Sequence, residues 1–219
     1  MSLRLVLVRH AETAWNRERR YQGWQDTPLS ELGRTQADAA ARLLAAQPLA
    51  AVWSSPLQRA RDTAAAIAAA QRLTVQEEAA FKEMRFGQWE GLTRDEVSAR
   101  FPDAYQMWAQ SPHQAVVPGG ETLAEVRERV LRGLGDLREA HDGQTVCLVA
   151  HGISARLLIL EALGLGLDRL WSLQISSTGI SELEFRHDWA AVHRMNTLVH
   201  LERVPVPRPG PIGERARAT

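Results

Sequence analysis

Three short apolar runs constrain the fold of this chain more than any other feature. They are Leu3–Val8, Ala51–Ser55 and Thr145–Ala150. Leu3–Val8 is rich in β-branched residues, and all three are too short for a helix. Runs that are apolar without alternation suit strands covered on both faces, as in a parallel sheet between helices. Helical patterns follow each of them. Ser30 is placed as an N-cap for a helix to about Ala46, with Leu32, Ala39, Leu43 and Ala46 along one side. Pro56 stops the second run, and a helix over about Leu57–Gln71 follows. A long helix from about Thr122 sets Leu123, Val126, Val130, Leu134 and Leu137 on one face. Ile153–Leu163 is a further helix, and Thr74–Gln76 reads as a short third strand. Ile180–Phe185 and Ala191–Met195 read as an antiparallel pair that closes the sheet. The expected fold class is therefore α/β: a three-layer α/β/α sandwich around a mostly parallel central sheet with an antiparallel edge. A single domain is expected over residues 1–204, and the Pro- and Arg-rich stretch 205–219 is expected to be disordered.

Composition narrows the function classes. Lys+Arg and Asp+Glu balance at 26 each, which argues against a dedicated nucleic-acid binder. Lys82 is the only lysine, so an arginine is notable here by position and not by type. The single cysteine, Cys147, lies inside an apolar run and reads as a buried core thiol; it cannot form an intramolecular disulfide or a multi-cysteine zinc site. No apolar stretch approaches the roughly 18 residues of a membrane helix, and the start of the chain is interrupted by charge too early for a secretory signal. A cytoplasmic location, no metal, no cofactor and no membrane or nucleic-acid partner are the expectations. Oligomeric state is left open, a homodimer included.

Ligands of open parallel sheets bind beyond the carboxyl ends of the strands. The first run ends there in Arg9-His10, the second leads through Ser54-Ser-Pro-Leu-Gln to Arg59, and the third ends in His151-Gly152. Singly, each of these arginines reads as a surface charge and each histidine as a structural one. Together they bring two guanidiniums and two imidazoles to one edge, where they repel each other unless an anion lies between them. A phosphate dianion fits, because guanidinium forks bind its oxygens in pairs. Helix N-termini after Pro56 and Gly152 are expected to add positive potential.

Four ordered blocks then resemble the histidine phosphatase superfamily, in its phosphoglycerate mutase-like branch. They are Leu7-Val-Arg-His-Ala-Glu-Thr-Ala-Trp-Asn16, Ser54-Ser-Pro-Leu-Gln-Arg-Ala-Arg-Asp-Thr63, Glu83-Met-Arg-Phe-Gly-Gln-Trp-Glu-Gly91 and Val149-Ala-His-Gly152. The resemblance runs from Leu3 to about Leu201. It implies that His10 is the nucleophile that becomes phosphohistidine. It makes Arg9, Arg59 and His151 the holders of the phosphoryl oxygens, assisted by Asn16, and Glu83 the proton donor to the leaving oxygen and then the base for water. Gln22 and Gly23 border the pocket, and Gly152 belongs to it. A carbonyl bonded to Nδ1–H of His10 would leave Nε2 free to attack. The family's usual glycine after Arg-His is replaced by Ala11. If that backbone required positive φ, an alanine would cost roughly 1 kcal/mol.

The implied activity is metal-independent hydrolysis of small phosphomonoesters. Bisphosphoglycerate-dependent mutases, the nearest alternative, carry an adjacent Arg-Arg pair before the long helix, and this chain has none there. Residues 84–120 are expected to form a lid that selects the substrate; an open, shallow site for phosphoproteins would not accommodate one. Ser176–Phe185 is similar to α-ribazole and broad-specificity phosphatases. A non-catalytic phospholigand scaffold is disfavoured because both His10 and Glu83 are present. Arg17, Arg19 and Arg20 read as a rim for acidic ligands, and Phe86 and Trp89 either as pocket walls or as core. His113, His141, His187, His193 and His200 read as structural or exposed.

Overall fold

A computed structural model describes residues 2–202; the segment expected to be disordered, 205–219, lies outside them. Six strands form one sheet: β1 (Leu3–Arg9), β2 (Ala51–Ser54), β3 (Val75–Glu77), β4 (Thr145–Ala150), β5 (Ile180–Phe185) and β6 (Ala190–Thr197). Their order is β3-β2-β4-β1-β5-β6. The first four in that order run parallel, whereas β5 is antiparallel to β1 and β6 to β5. The fold is the expected α/β sandwich with an antiparallel edge.

The unbroken apolar runs have the expected cause. Leu3, Leu5 and Leu7 of β1 pack on one side with Leu148, and Val6 and Val8 pack on the other with Cys147 and Val149. β1 and β4, at the centre, bury both faces. One side is covered by α6 (Leu123–Ala140) and α7 (Gly152–Ala162), the other by α2 (Glu31–Leu44) and α3 (Gln58–Gln71). In α6 the buried residues include Leu123, Val126, Val130, Leu134 and Leu137, the predicted face. Ser30 caps α2 by accepting from the Gly33 amide at 2.9 Å.

The face of α2 differs from the sequence reading. Ala39 is buried as read and Leu32 is half-buried, but Leu43 is 40% exposed and Ala46 is exposed, while Gly33, Gln36, Ala37, Ala40, Ala41 and Leu44 are also buried. The buried face is mostly glycine and alanine, with Gln36 and Leu44, and the helix approaches closely there: a Cβ on Gly33 would collide with the carbonyl of Glu12. One short helix, α1 (Ala14–Arg17), went unpredicted; Thr13 and Asn16 close a reciprocal cap at its start.

Residues 84–120 include α4 (Arg94–Arg100) and α5 (Pro102–Gln110). They carry an aromatic cluster in which Phe86 and Trp89 stack at 6.5 Å and Trp108 packs edge-on against both. Tyr21 and Trp171 join it from outside the segment. Trp89 is fully buried and Phe86 nearly so, which decides their role as core.

Candidate active site

The carboxyl ends of β1, β2 and β4 meet at one edge of the sheet. His10 follows β1 directly, and its amide donates to the carbonyl of Ala150 at the end of β4 at 2.9 Å. His151 follows β4, and the two imidazole centroids are 5.2 Å apart. Arg59 lies in the first turn of α3 and is completely buried. Its guanidinium donates to the carbonyls of Gly23 at 2.8 Å and Gln25 at 2.9 Å. Arg9 donates to the carbonyl of Ile175 at 2.7 Å. Glu83 reaches in from the other side: its Oε1 accepts from the amides of Met84 at 2.9 Å and Ile153 at 3.1 Å. A Cβ placed on Gly152 would lie 3.4 Å from Oε2 of Glu83 and 3.9 Å from Nε of Arg9. Gly152 therefore lies beside both the carboxyl and the guanidinium.

Nδ1–H of His10 donates to the carbonyl of Ala11 at 2.7 Å, which leaves Nε2 unprotonated in the neutral ring. Burial, reinforced by the cations Arg59 and Arg9, holds its pKa well below the ordinary histidine value. His151 is lowered in the same way, by burial first and then by Arg59. Burial also lowers Arg59, to about 10. Three buried nitrogens around this cluster find no partner among the described residues: Nε of Arg9, Nε of Arg59 and Nδ1 of His151. Buried donors without partners are costly, at about 1–3 kcal/mol each. An anion bound among these side chains would offer acceptor oxygens to such donors.

Asn16 and Gln22 both use their side-chain oxygens inside the protein. Asn16 Oδ1 accepts from the Thr13 amide, and Gln22 Oε1 from the hydroxyls of Thr13 and Thr27. Their amide NH₂ groups are left to donate. Gly23 adopts φ +52°, and a side chain there would run into Glu90.

Several expectations need correction. Ala11 is absent from the positive-φ positions, so the anticipated strain does not arise. Its amide donates to Thr63 Oγ1 at 3.0 Å, and its methyl packs with Leu29 and Ala37. The two helix N-termini are already engaged by carboxylates: Ile153 N by Glu83 and Gln58 N by Asp26 Oδ1 at 2.6 Å. Arg20 is no free rim cation; it is bonded to Glu18, Glu96 and the carbonyl of Gly91.

Sequence reasoning missed Ser55 and Arg156. Ser55 Oγ lies 2.8 Å from Nε2 of His151 and accepts from the Leu57 amide at 3.3 Å. If the Ser55 hydroxyl donates to Nε2, the neutral ring carries its proton on Nδ1, which is then a donor. The doubled serine in the Ser54-Ser-Pro block was the available signal. Arg156 is half-buried, with its guanidinium over the Trp171 ring and held by the carbonyls of Leu173 and Gly152. Four residues after Gly152, it lies one helical turn on, where a helix could return it to the site.

Among the described residues no cluster of three or more His, Cys, Asp or Glu is arranged for a metal ion. No helix there is long and apolar enough to cross a membrane.

Residues 5–198 match the family model of the histidine phosphatase superfamily, branch 1. The chain belongs to that superfamily. It is 36% identical over 199 residues to phosphoserine phosphatase 1 of Hydrogenobacter thermophilus, covering 91% of this chain and 94% of that one. It is 35% identical over 163 residues to a 2,3-bisphosphoglycerate-dependent phosphoglycerate mutase 2 of Gloeobacter violaceus, covering 72% and 74%. The solved structure of a mycobacterial glucosyl-3-phosphoglycerate phosphatase, in complex with VO3, superposes with a TM-score of 0.82 at 32% identity, covering 89% of this chain and 99% of that one.

Proposed function

We propose that this chain is a phosphatase that hydrolyses small-molecule phosphomonoesters through a phosphohistidine on Nε2 of His10. One observation carries the reading: a buried neutral imidazole with a free Nε2, beside three buried nitrogens that lack partners. Arg9, Arg59 and His151, with the amides of Asn16 and Gln22, hold the phosphoryl oxygens and stabilise the charge that spreads over them in transfer. The Nε2 lone pair forms the N–P bond as the P–O bond to the leaving group breaks. Glu83 Oε2 delivers its proton to that oxygen. Water then attacks phosphorus, Glu83 takes a proton back, the N–P electron pair returns to Nε2, and inorganic phosphate leaves.

Residues 84–120, with their aromatic core, form the wall or lid that chooses among esters. The phosphatase names of the relatives make phosphoserine and phosphorylated sugar acids the first substrates to try, alongside α-ribazole phosphate. The mutase-named relative favours the mutase reading, but residues 84–120 of this chain hold no adjacent arginine pair.

Wild-type protein should release phosphate from p-nitrophenyl phosphate without added metal and with chelator present. His10→Ala should lose on the order of 10⁴-fold or more of that activity. Rapid quench with labelled substrate should trap a phosphoramidate that survives base and is lost in acid. Activity that persists in His10→Ala, or that chelator abolishes, overturns the mechanism. Rapid isomerisation of 3-phosphoglycerate with catalytic bisphosphoglycerate would instead make the enzyme a mutase.

A further inference from the structure

The peptide carbonyl of Glu83 is gripped from two directions by side chains outside the motif blocks. Nε1 of Trp24 donates to it at 2.8 Å, and NH2 of Arg129, on α6, donates at 2.9 Å. Arg129 also holds the carbonyls of Ala80 at 2.7 Å and Lys82 at 2.8 Å. Its guanidinium is fixed in turn by Glu121, 2.9 Å from Nε and 3.0 Å from NH2, and both side chains are 14% exposed. Trp24 is steadied by Glu90, which accepts from its amide at 3.1 Å, and by the Lys82 ammonium 4.4 Å over its ring. Trp24, Lys82, Glu121, Arg129 and Arg132 line an open cavity of about 340 Å³.

A single donor would satisfy this carbonyl, and two from separate elements fix its direction. The direction matters because the Glu83 carboxyl folds back over its own backbone, with Oε1 on the Met84 amide one residue on. Rotation of the peptide between residues 83 and 84 would swing that amide, and the carboxyl with it, away from Ile153 N. The carbonyl clamp and the carboxylate anchor are thus two ends of one rigid peptide. Trp24 also follows Gly23, whose carbonyl holds Arg59. One short loop therefore touches both the anion cage and the proton donor.

We infer that Trp24 and Arg129 are positioning residues for proton transfer by Glu83. They hold its peptide so that Oε2 meets the leaving oxygen, without touching substrate themselves. The inference rests on the phosphatase reading above. Proton donation matters in proportion to how poor the leaving group is, and this separates positioning from mere folding.

The experiment compares kcat/KM for phenyl phosphate and p-nitrophenyl phosphate, two esters of nearly the same shape. The first expels the more basic oxygen and needs the proton more. Trp24→Phe, which keeps an aromatic ring but loses the Nε1 donor and the smaller ring of the indole, should lower the phenyl phosphate value about threefold, and Arg129→Met about tenfold, while the p-nitrophenyl value falls less than about twofold. Arg129→Lys should recover part of the loss. Arg132→Met lines the same cavity without contacting Glu83 and should leave both values unchanged. Equal losses on the two esters, or no loss on either, overturn the inference. If Arg129→Met fails to fold, Trp24→Phe alone decides it. Activity that survives His10→Ala would bring down the phosphatase reading itself, and that result is distinct from an unchanged ester ratio.

Discussion

Two clusters of charge occupy opposite parts of the same sheet and obey opposite rules. At the carboxyl ends of the parallel strands, Arg9, His10, Arg59 and His151 crowd together with one acid, Glu83, among them. Both imidazoles are held neutral by burial and by the guanidiniums, and three buried nitrogens find no partner. At the antiparallel edge, Glu184 of β5 collects Arg186 at 2.7 Å, His193 at 2.8 Å and Arg4 at 3.6 Å. There the bonds from Arg186 and then His193 pull the carboxyl down to about 2. The edge cluster is complete without a ligand. The site cluster keeps buried nitrogens without partners among the described residues, and under the proposed function a phosphoryl group would pair with them. Charge that a fold leaves unresolved in its interior marks function; charge that it resolves at the rim marks stability.

The sharpest way to break this contrast is to remove a cation from the site cluster. Arg59→Met should cost about 10²–10³-fold in kcat/KM for any phosphomonoester, the usual effect of losing a fixed donor to the transition-state charge. A loss under tenfold would mean that Arg59 is structural, serving only the carbonyls of Gly23 and Gln25.

The second effect is thermodynamic. Vanadate or phosphate at 100 times its Kd should stabilise the wild-type protein by about 2.7 kcal/mol. That corresponds to a rise in Tm of about 5–10 °C for a domain of this size. The rise should vanish in Arg59→Met. A calorimetric scan showing equal rises in both would place the anion elsewhere.

Smaller again is the pH response. The native pKa values of His10 and His151 lie below those of the unfolded chain, so the unfolded state takes up protons first as acid is added. Stability is complete above about pH 6.5 and falls below it, by up to about 1.4 kcal/mol per pH unit for each group. Chemical denaturation at pH 7.5 and 5.5 measures this slope, and His10→Asn should reduce it. A slope that is unchanged would show that the ring is already charged in the folded protein.

How much of this was legible beforehand depends on whether the signal was local. The strand runs and the α6 face announce themselves through β-branching and spacing, and the reactive residues sit directly at the ends of those runs. Arg9, His10, Arg59 and His151 were found in this way. What escaped depends on contacts between distant segments. The buried face of α2 is chosen by how closely it approaches the carbonyl of Glu12, a distance that no hydrophobic period encodes. Ser55 matters only because β2 delivers it to His151, and Arg129 only because α6 lies over the Glu83 segment. In the sequence Arg129 is one of many arginines on an amphipathic helix.

The mildest test belongs to the rim. Glu184→Gln keeps the shape and hydrogen-bonding capacity of the side chain but removes the charge that Arg4, Arg186 and His193 share. Because its folded pKa is depressed, Glu184 contributes stability that is present above the ordinary carboxylate value, about 4.3. That contribution is lost as pH falls through about 2. The variant should therefore melt at a slightly lower temperature at pH 7, and the difference from wild type should close between pH 4 and pH 2. Its kcat/KM should be unchanged, because the edge cluster shares no hydrogen bond with His10, Glu83 or His151. Lost activity at unchanged melting temperature would show that the two clusters are coupled through the sheet, and the division drawn between them would fail.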